Sequence, residues 1–297
     1  FFAGLAPALA QTGPSAPLRV KGQINAARVQ GHVEAVSKVD GKSRVLKDGD
    51  ALSEQTTVVT APGSSVILVF SNGATVNVAS DSNLDIEQFD QDPFAGEIKP
   101  SELKAEVGTS TTRLNLTRGE LVGKVVHLNV DHGSEFTVQT PVGAAGIRGT
   151  TFKIVFRPGP NGKTFFSITT SEGQVVYRGT TSGPIQVPAG KQVVATFDYT
   201  PPTTTGGGST GGTPPAVTVT TTETSPAEEA QITTVVQTFT SVSTPVTFVA
   251  PSGSNGTNSG NGNGTNQNNG NSNNNPNSTP SQPAQPAPAT TSQAGTG

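Results

Sequence analysis

One arginine among glycines is the side chain in this sequence best placed to bind a group outside its own strand. Arg148 lies in TPVGAAGIRGTTFKIVF, residues 140–156, together with Gly143, Gly146 and Gly149. Its planar guanidinium could hold backbone carbonyls, a carboxylate or an outside anion. Because tight glycine loops leave carbonyls that need donors, the structural use is favoured. The sequence therefore predicts that Arg148 holds the loop and that an Arg148→Ala variant is less stable.

His127 belongs to a second group of residues with chemical potential. In the segment VVHLNVD it alternates with Asn129 and Asp131, so a strand would place an imidazole, an amide and a carboxylate on one face. His132 follows in a turn, and no third ligand stands at a metal-binding spacing. The favoured interpretation is a solvated strand face, and His32 is likewise expected on the surface.

The sequence contains no other recognisable catalytic or metal-binding pattern. An acidic cluster lacks the alternation and the glycine of a calcium loop; its members are Asp81, Asp85, Glu87, Asp90 and Asp92. The chain has no cysteine, which excludes disulfides and thiolate ligands. GAAGIRGTT lacks the lysine and the following helix of a phosphate-binding loop. We therefore predict a protein that is not an enzyme, with no catalytic residue, no cofactor and no metal.

The elements that would position these residues have an all-β pattern. Short runs of valine, leucine, phenylalanine and threonine alternate with glycine, aspartate and asparagine from Arg28 onward. Such strands need two packed faces, which predicts an antiparallel β-sandwich or a jelly-roll-like fold. Within residues 140–156 the pattern predicts a strand, a tight glycine loop and a second strand with Phe152 and Ile154 on its apolar face.

Glycine-containing dipeptides mark the predicted turns. In SVILVFSNGATVNVAS, Asn72 and Gly73 match a two-residue type I′ hairpin turn. Further turns are predicted at Asp40-Gly41, Asp48-Gly49, Arg118-Gly119, His132-Gly133, Asn161-Gly162 and Glu172-Gly173. Between them, residues 89–108 contain Pro93 and Pro100, which predicts a surface insertion. Within it, Ser101 could cap a short helix over residues 101–107.

Composition divides the chain into segments. Residues 1–10 resemble the end of a signal peptide with the cleavage site Ala8-Leu9-Ala10, although the end of a transmembrane helix is the other interpretation. Residues 18–200 are predicted as the β-domain and residues 201–215 as a glycine, proline and threonine linker. Residues 216–250 are threonine- and valine-rich and are expected to be semi-ordered, adding a strand at most or folding against a partner. Residues 251–297 are expected to form a disordered polar tail.

Charge limits the kinds of partner. The net charge is −3, and every lysine and arginine precedes Thr200 without forming a basic stripe. This argues against nucleic acid as a partner. No segment after the first residues has the ~20 apolar residues of a membrane helix. The sequence does not predict the oligomeric state.

A resemblance to a known family rests on several motifs in order. TPVGAAGIRGTTFKI is followed by SEGQVVY and VPAGKQVV, and it is preceded by VLKDGDAL, TTVVTAPGSSVILVFSNGATVNV and LTRGELVGKV. This series resembles the signature of FecR domains over residues 45–195. The positions that match the family motif are Thr140, Pro141, Gly146, Arg148, Gly149 and Thr150.

The resemblance implies a protein of the bacterial envelope. In the founding type, this domain relays the state of an outer-membrane iron-siderophore transporter to a sigma factor, and an anti-sigma region and one membrane helix precede it. Here the predicted signal sequence lies only a short distance before the first predicted strands, so a stand-alone secreted form that lacks the anti-sigma region, periplasmic or extracellular, is expected. We predict a non-catalytic sensing or interaction module whose partner is an envelope or outer-membrane protein. The alternative is a structural or adhesive surface protein with the tail as a stalk.

Overall fold

A computed structural model describes residues 19–159, 162–180, 183–199 and 217–250. These ranges belong to one compact unit, Phe1–Ser252. The predicted signal peptide remnant (1–10), linker (201–215) and disordered tail (251–297) lie outside the described residues.

The described residues form strands, two 3₁₀ turns (Pro100–Glu102 and Val130–His132) and one α-helix, α1 (Pro226–Ser243). The strands are β1 (Val20–Lys21), β2 (Ile24–Gln30), β3 (Val33–Ser37), β4 (Ser43–Val45), β5 (Ala51–Leu52), β6 (Thr56–Thr60), β7 (Ser65–Phe70), β8 (Thr75–Val78), β9 (Ser82–Gln91), β10 (Glu97–Ile98), β11 (Ser110–Lys124), β12 (Glu135–Thr140), β13 (Gly143–Ile147), β14 (Thr151–Pro158), β15 (Lys163–Glu172), β16 (Gln174–Gly179), β17 (Ile185–Pro188), β18 (Lys191–Asp198), β19 (Thr220–Glu223) and β20 (Phe248–Val249). No helix among these residues is both long and apolar enough to cross a bilayer.

The strands pair into two large sheets that share the long strand β11. Sheet A has the order β4-β3-β6-β9-β11-β12-β13-β16-β17, and β1 pairs with the end of β9. Sheet B has the order β5-β2-β7-β8-β11-β14-β15-β18-β19. All these pairs are antiparallel except β11 with β12. The predicted all-β class with antiparallel sheets is confirmed.

Strand β11 crosses from one sheet to the other at Gly119. Residues 110–118 pair with β9, and residues 119–124 pair with β14. Gly119 has a φ of 103°, and a Cβ there would lie 2.0 Å from the Oγ of Ser82. The predicted turn at Arg118-Gly119 is therefore wrong: the glycine allows an uninterrupted strand to change sheets.

The inner faces of the two sheets form one hydrophobic core. Alternate residues of nearly every strand point into it, and its largest fully buried rings include Phe70, Phe89 and Phe136, of which Phe70 contacts the other two edge-on. Aromatic rings in this geometry contribute packing energy beyond their buried area. The apolar residues that alternate along the predicted strands are therefore the residues buried between the two sheets.

The hairpin at Asn72 and Gly73 exists, but its turn is not type I′. Strands β7 and β8 pair as predicted, and Gly73 has a φ of 92°. Asn72 does not have the positive φ that type I′ requires, so the loop is a longer one that ends on a left-handed glycine. Asn72 is buried, and its amide donates to the hydroxyls of Ser110 at 3.1 Å and Thr112 at 3.3 Å. Its side chain fixes the hairpin tip against β11.

Residues 217–250 are more ordered than the sequence analysis expected. Strand β19 pairs with β18, and α1 then runs for 18 residues across the outer face of sheet B. Ser225 caps the helix by accepting from the amide of Glu228, and Pro226 takes the first helical position. Ile232 and Phe239 are its large buried side chains. A narrow apolar stripe holds the helix even though its threonines and valines favour strands.

The predicted surface insertion at residues 89–108 contributes to a second, smaller core beneath α1. Its buried members are Ala27, Ile67, Val69, Phe94, Ile98, Val122, Ile232, Phe239 and Phe248. Strand β10, within the insertion, pairs with β20 after the helix. The predicted helix at 101–107 is absent from this segment, where a 3₁₀ turn starts at Pro100 and Ser101 caps nothing. The insertion and the C-terminal helix are therefore folded together.

Candidate functional site

The segment TPVGAAGIRGTT forms a turn, a strand and a crossover. Residues 140–143 connect β12 to β13, which lies between β12 and β16 in sheet A. The chain then passes through residues 148–150 to β14 in sheet B. The predicted glycine loop is therefore wrong, because Gly143 and Gly146 are residues of a paired strand. Gly149, with a φ of 69°, lies in the crossover.

Threonine hydroxyls, and not Arg148, make the side-chain hydrogen bonds from this segment to backbone carbonyls. Thr140 donates its hydroxyl to the carbonyl of Gly143 at 2.9 Å, and Thr150 donates to the carbonyl of Gln174 at 3.0 Å. The backbone of Thr150 also exchanges two hydrogen bonds with Val125. Pro141, in the turn, is half-buried. The hydroxyls of Thr140 and Thr150 and the backbone of Thr150 thus fix the segment without a guanidinium.

Tyr177 anchors the turn from inside the core, and it is not among the residues predicted from the sequence. Its hydroxyl donates to the carbonyl of Val142 at 2.8 Å, and its ring packs against Phe166. A Cβ on Gly143 would lie 2.4 Å from the carbonyl of Arg178 and 2.8 Å from the Tyr177 ring. The inward position of Tyr177 in the alternating run QVVY was the available signal.

Burial raises the pKa of Tyr177 to about 12. At pH values between about 10, the ordinary tyrosine pKa, and this raised pKa, the hydroxyl of Tyr177 is deprotonated in the unfolded protein but still protonated in the folded protein. The free energy of unfolding should therefore decrease as pH rises through this range. Urea unfolding at pH 8 and above pH 10 should show a smaller decrease for Tyr177→Phe than for the wild type. Equal decreases would contradict the buried hydroxyl, since Tyr199, whose pKa burial also raises, is present in both proteins.

Arg148 does not hold the segment. Its side chain is exposed, and within the described part of the chain it has no hydrogen bond or ion pair. The predicted structural role is therefore wrong. We now expect Arg148→Ala to change the free energy of unfolding by less than about 0.5 kcal/mol, as for other exposed side chains. A thermal melt that drops by several degrees would contradict this.

Arg148 and Arg178 line one open cavity on the outer face of sheet A. The cavity has a volume of about 210 Å³, and β12, β13 and β16 supply most of its lining, which includes Glu135, Thr137 and Val176. Arg178 is also exposed and has no partner among the described residues. Two guanidiniums free to bind an anion therefore face the same space.

A second cavity lies at the Thr140 end of the same segment. Its volume is about 580 Å³, and its lining is mostly polar or proline: Asn83, Asn115, Thr117, Arg118, Gln139, Thr140, Pro141, Pro158 and Tyr199. Asn115 and Gln139 are neighbours across the parallel pair β11 and β12. Strands β12 and β13 thus lie between two open cavities.

The histidines and acidic residues do not come together. His127 is exposed and makes one isolated bridge with Ala105 instead of belonging to a strand, while His132 ends a 3₁₀ turn. His32 contacts Glu34 at 2.8 Å. Most of the acidic cluster is paired separately: Asp81 with Arg118, Asp85 with Lys38, and Asp90 with Lys21. Within the described ranges, no three histidine or acidic side chains are grouped as metal ligands.

Comparison with known proteins gives a family match over part of the chain. Residues 56–175, from β6 into β16, match the family described as "FecR protein". The comparison with curated proteins gave no match. The predicted FecR domain is confirmed for these residues, while its predicted outer limits remain predictions.

Two solved structures are similar to the chain at low identity. Both are described as a "putative anti-sigma factor from Parabacteroides distasonis ATCC 8503", with TM-scores of 0.40 and 0.37 and identities of 11% and 10%. The similarity covers 61% and 56% of this chain. The chain spans 64% and 59% of those two chains, less than two thirds of either. By its family match, the segment from residue 56 to residue 175 is a FecR domain, of a family that is in general non-catalytic.

Proposed function

We propose that this protein is a non-catalytic interaction or sensing module of the bacterial envelope. Its FecR domain would bind another envelope protein through the outer face of sheet A. The observation that carries this proposal is the difference between the two outer faces. Helix α1 and the β10-β20 pair cover part of sheet B, whereas outward side chains of β12, β13 and β16 border open cavities.

The open face has the chemistry of a protein contact surface. Thr137 and Gln139 on β12 are half-buried, Ala144 and Gly146 on β13 are small, and Arg178 on β16 is exposed. Polar groups and arginine over a rigid sheet can make specific hydrogen bonds at little cost in conformational entropy. This arrangement supports binding.

Export is part of the proposal. It is supported by the apolar run and the Ala8-Leu9-Ala10 site at residues 1–10. Fractionation of the native bacterium should recover the protein outside the cytoplasm, with Gln11 as its first residue. Recovery from the cytoplasm with residues 1–10 intact would rule out export by a cleaved signal.

Photo-cross-linking in the native bacterium tests the binding face. A photoreactive residue at Gln139 on sheet A should give a discrete adduct with one envelope protein. The same residue at Thr234, exposed on α1, is the matched control and should not give that adduct. Equal adducts from both sites, or none from sheet A, would contradict the proposal. Recovery in cell-surface washes without an adduct would instead favour the adhesive alternative.

A further inference from the structure

We infer that the cavity between Arg148 and Arg178 is a subsite for carboxylates, and that the partner inserts an acidic peptide segment there. This inference rests on the proposed function and adds the chemical class of the partner surface. Nothing in the FecR match assigns a ligand to these two side chains.

The two arginines at this site differ from most other arginines of the described residues, which make ion pairs or side-chain hydrogen bonds. Among the arginines of the described residues, Arg28, Arg148 and Arg178 have neither an ion pair nor a side-chain hydrogen bond. The others contact carboxylates or threonine hydroxyls, and they are Arg19, Arg44, Arg113, Arg118 and Arg157. Two of the three unpaired guanidiniums line the same cavity. Unused donors are therefore concentrated at one place on the face.

The two side chains approach each other along β13 and β16. On β13, Ala144 pairs with Arg178. Gly146 lies two residues further along β13 toward Arg148, and it pairs with Val176. The Nη1 atom of Arg178 lies 3.5 Å from where a Cβ of Gly146 would be. The guanidinium therefore extends over Gly146 in the direction of Arg148. A ligand above β13 would meet one guanidinium from each side.

The charge balance of the cavity favours an anion. Glu135 also lines the cavity, but its carboxylate accepts from Thr137 at 2.8 Å and lies 3.7 Å from Arg113. The site is thus net positive in a chain of net charge −3.

The rest of the lining fits a peptide. The half-buried Val130 and Val176 supply apolar surface beside the guanidiniums. Aspartate and glutamate side chains in an extended segment carry a carboxylate on an apolar stem and lie next to backbone. Arginine binds such a carboxylate through two parallel hydrogen bonds. The cavity therefore suits an acidic strand or loop better than a small inorganic anion.

Binding of a fluorescent oligoglutamate peptide to the full chain, measured by anisotropy, tests the inference. We expect the Arg148→Ser/Arg178→Ser variant to bind at least tenfold more weakly than the wild type. The matched control, Lys163→Ser/Lys191→Ser, loses the same charge from exposed ion pairs and should bind like the wild type. An Arg148→Lys/Arg178→Lys variant should be intermediate, because lysine keeps the charge and loses the fork.

Three results would overturn the inference. The first is wild-type protein that does not bind oligoglutamate. The second is equal weakening in the arginine and lysine variants, which would indicate only long-range electrostatics. The third is displacement of the labelled peptide by inorganic phosphate or a sulfated polysaccharide at a lower concentration, counted per negative charge, than unlabelled oligoglutamate requires.

The test also separates this inference from the proposed function. The Gln139 cross-link should be lost in the Arg148→Ser/Arg178→Ser background and kept in the lysine control. A cross-link that persists without the arginines would leave the interaction face in place and remove the acidic subsite. Absence of the cross-link from the wild type would count against the interaction face itself.

Discussion

Gly143→Ala should lower the free energy of unfolding by about 3 kcal/mol or more, because it combines backbone strain with a backbone clash. Gly143 has a φ of 146°, which side chains rarely adopt. Its new methyl group would lie 2.4 Å from the carbonyl of Arg178 on the neighbouring strand. Because that carbonyl belongs to the paired strand β16, it cannot move without breaking the sheet. Urea denaturation would measure the loss.

Gly146→Ala is the matched control within the same strand. Its nearest neighbour would be the flexible end of Arg178 at 3.5 Å, and its φ does not require glycine. We expect stability within about 0.5 kcal/mol of the wild type, with a small gain from reduced backbone entropy also consistent. Equal losses for the two variants would contradict the register of β13 against β16.

Lys153→Ala should lower the free energy of unfolding by about 2–3 kcal/mol and loosen α1. The side chain of Lys153 is only 7% exposed, and its ammonium lies 3.1 Å from Glu228 in the first turn of α1 and 3.5 Å from Glu120 on β11. Removing it leaves the carboxylate of Glu228, about one-fifth exposed, without this cation, while Glu120 keeps its ion pair with Arg157 at 2.9 Å. Breaking buried pairs costs about 3–5 kcal/mol, and the partial exposure of the carboxylates reduces the effect.

Lys163→Ala is the control for Lys153→Ala, because it also removes one positive charge but leaves the ion pairs of Lys153 intact. Lys163 pairs with Asp198 at 2.8 Å, but both side chains are more than half exposed. Exposed pairs contribute little, so its stability should be nearly unchanged. Hydrogen exchange should show faster exchange in α1 for Lys153→Ala and not for Lys163→Ala. Unchanged exchange in both variants would mean that the apolar stripe alone holds the helix.

Local patterns predicted the features of this fold that depend on neighbouring residues. Apolar alternation predicted the strands, and Asn72-Gly73 predicted a hairpin, because both signals act within a few residues. The turn type was wrong because Asn72 bonds to Ser110 and Thr112, which are distant in sequence. Arg118-Gly119 failed for the same reason, since Ser82 on β9 is what requires glycine there.

The role of Arg148 and the existence of α1 were missed for different reasons. Arg148 was assigned to the loop carbonyls, but Thr140 donates to the carbonyl of Gly143 within the segment, and Thr150 donates to Gln174 on β16. The helix was hidden by threonines and valines, whose strand preference is overridden by packing on sheet B. Its capping sequence, Ser225 and Pro226 followed by two glutamates in the first turn, was the signal available. The convergence of Arg148 and Arg178 depends on strand order, which no local pattern contains.

The claim that sheet A binds a partner is tested most directly by cysteine labelling, because the natural chain has no cysteine. Single Gln139→Cys and Thr234→Cys variants would be treated with a small maleimide in intact cells and after purification. We expect Gln139→Cys to react slowly in cells and rapidly when purified, whereas Thr234→Cys should react rapidly in both. Equal reactivity of Gln139→Cys in the two conditions would contradict it.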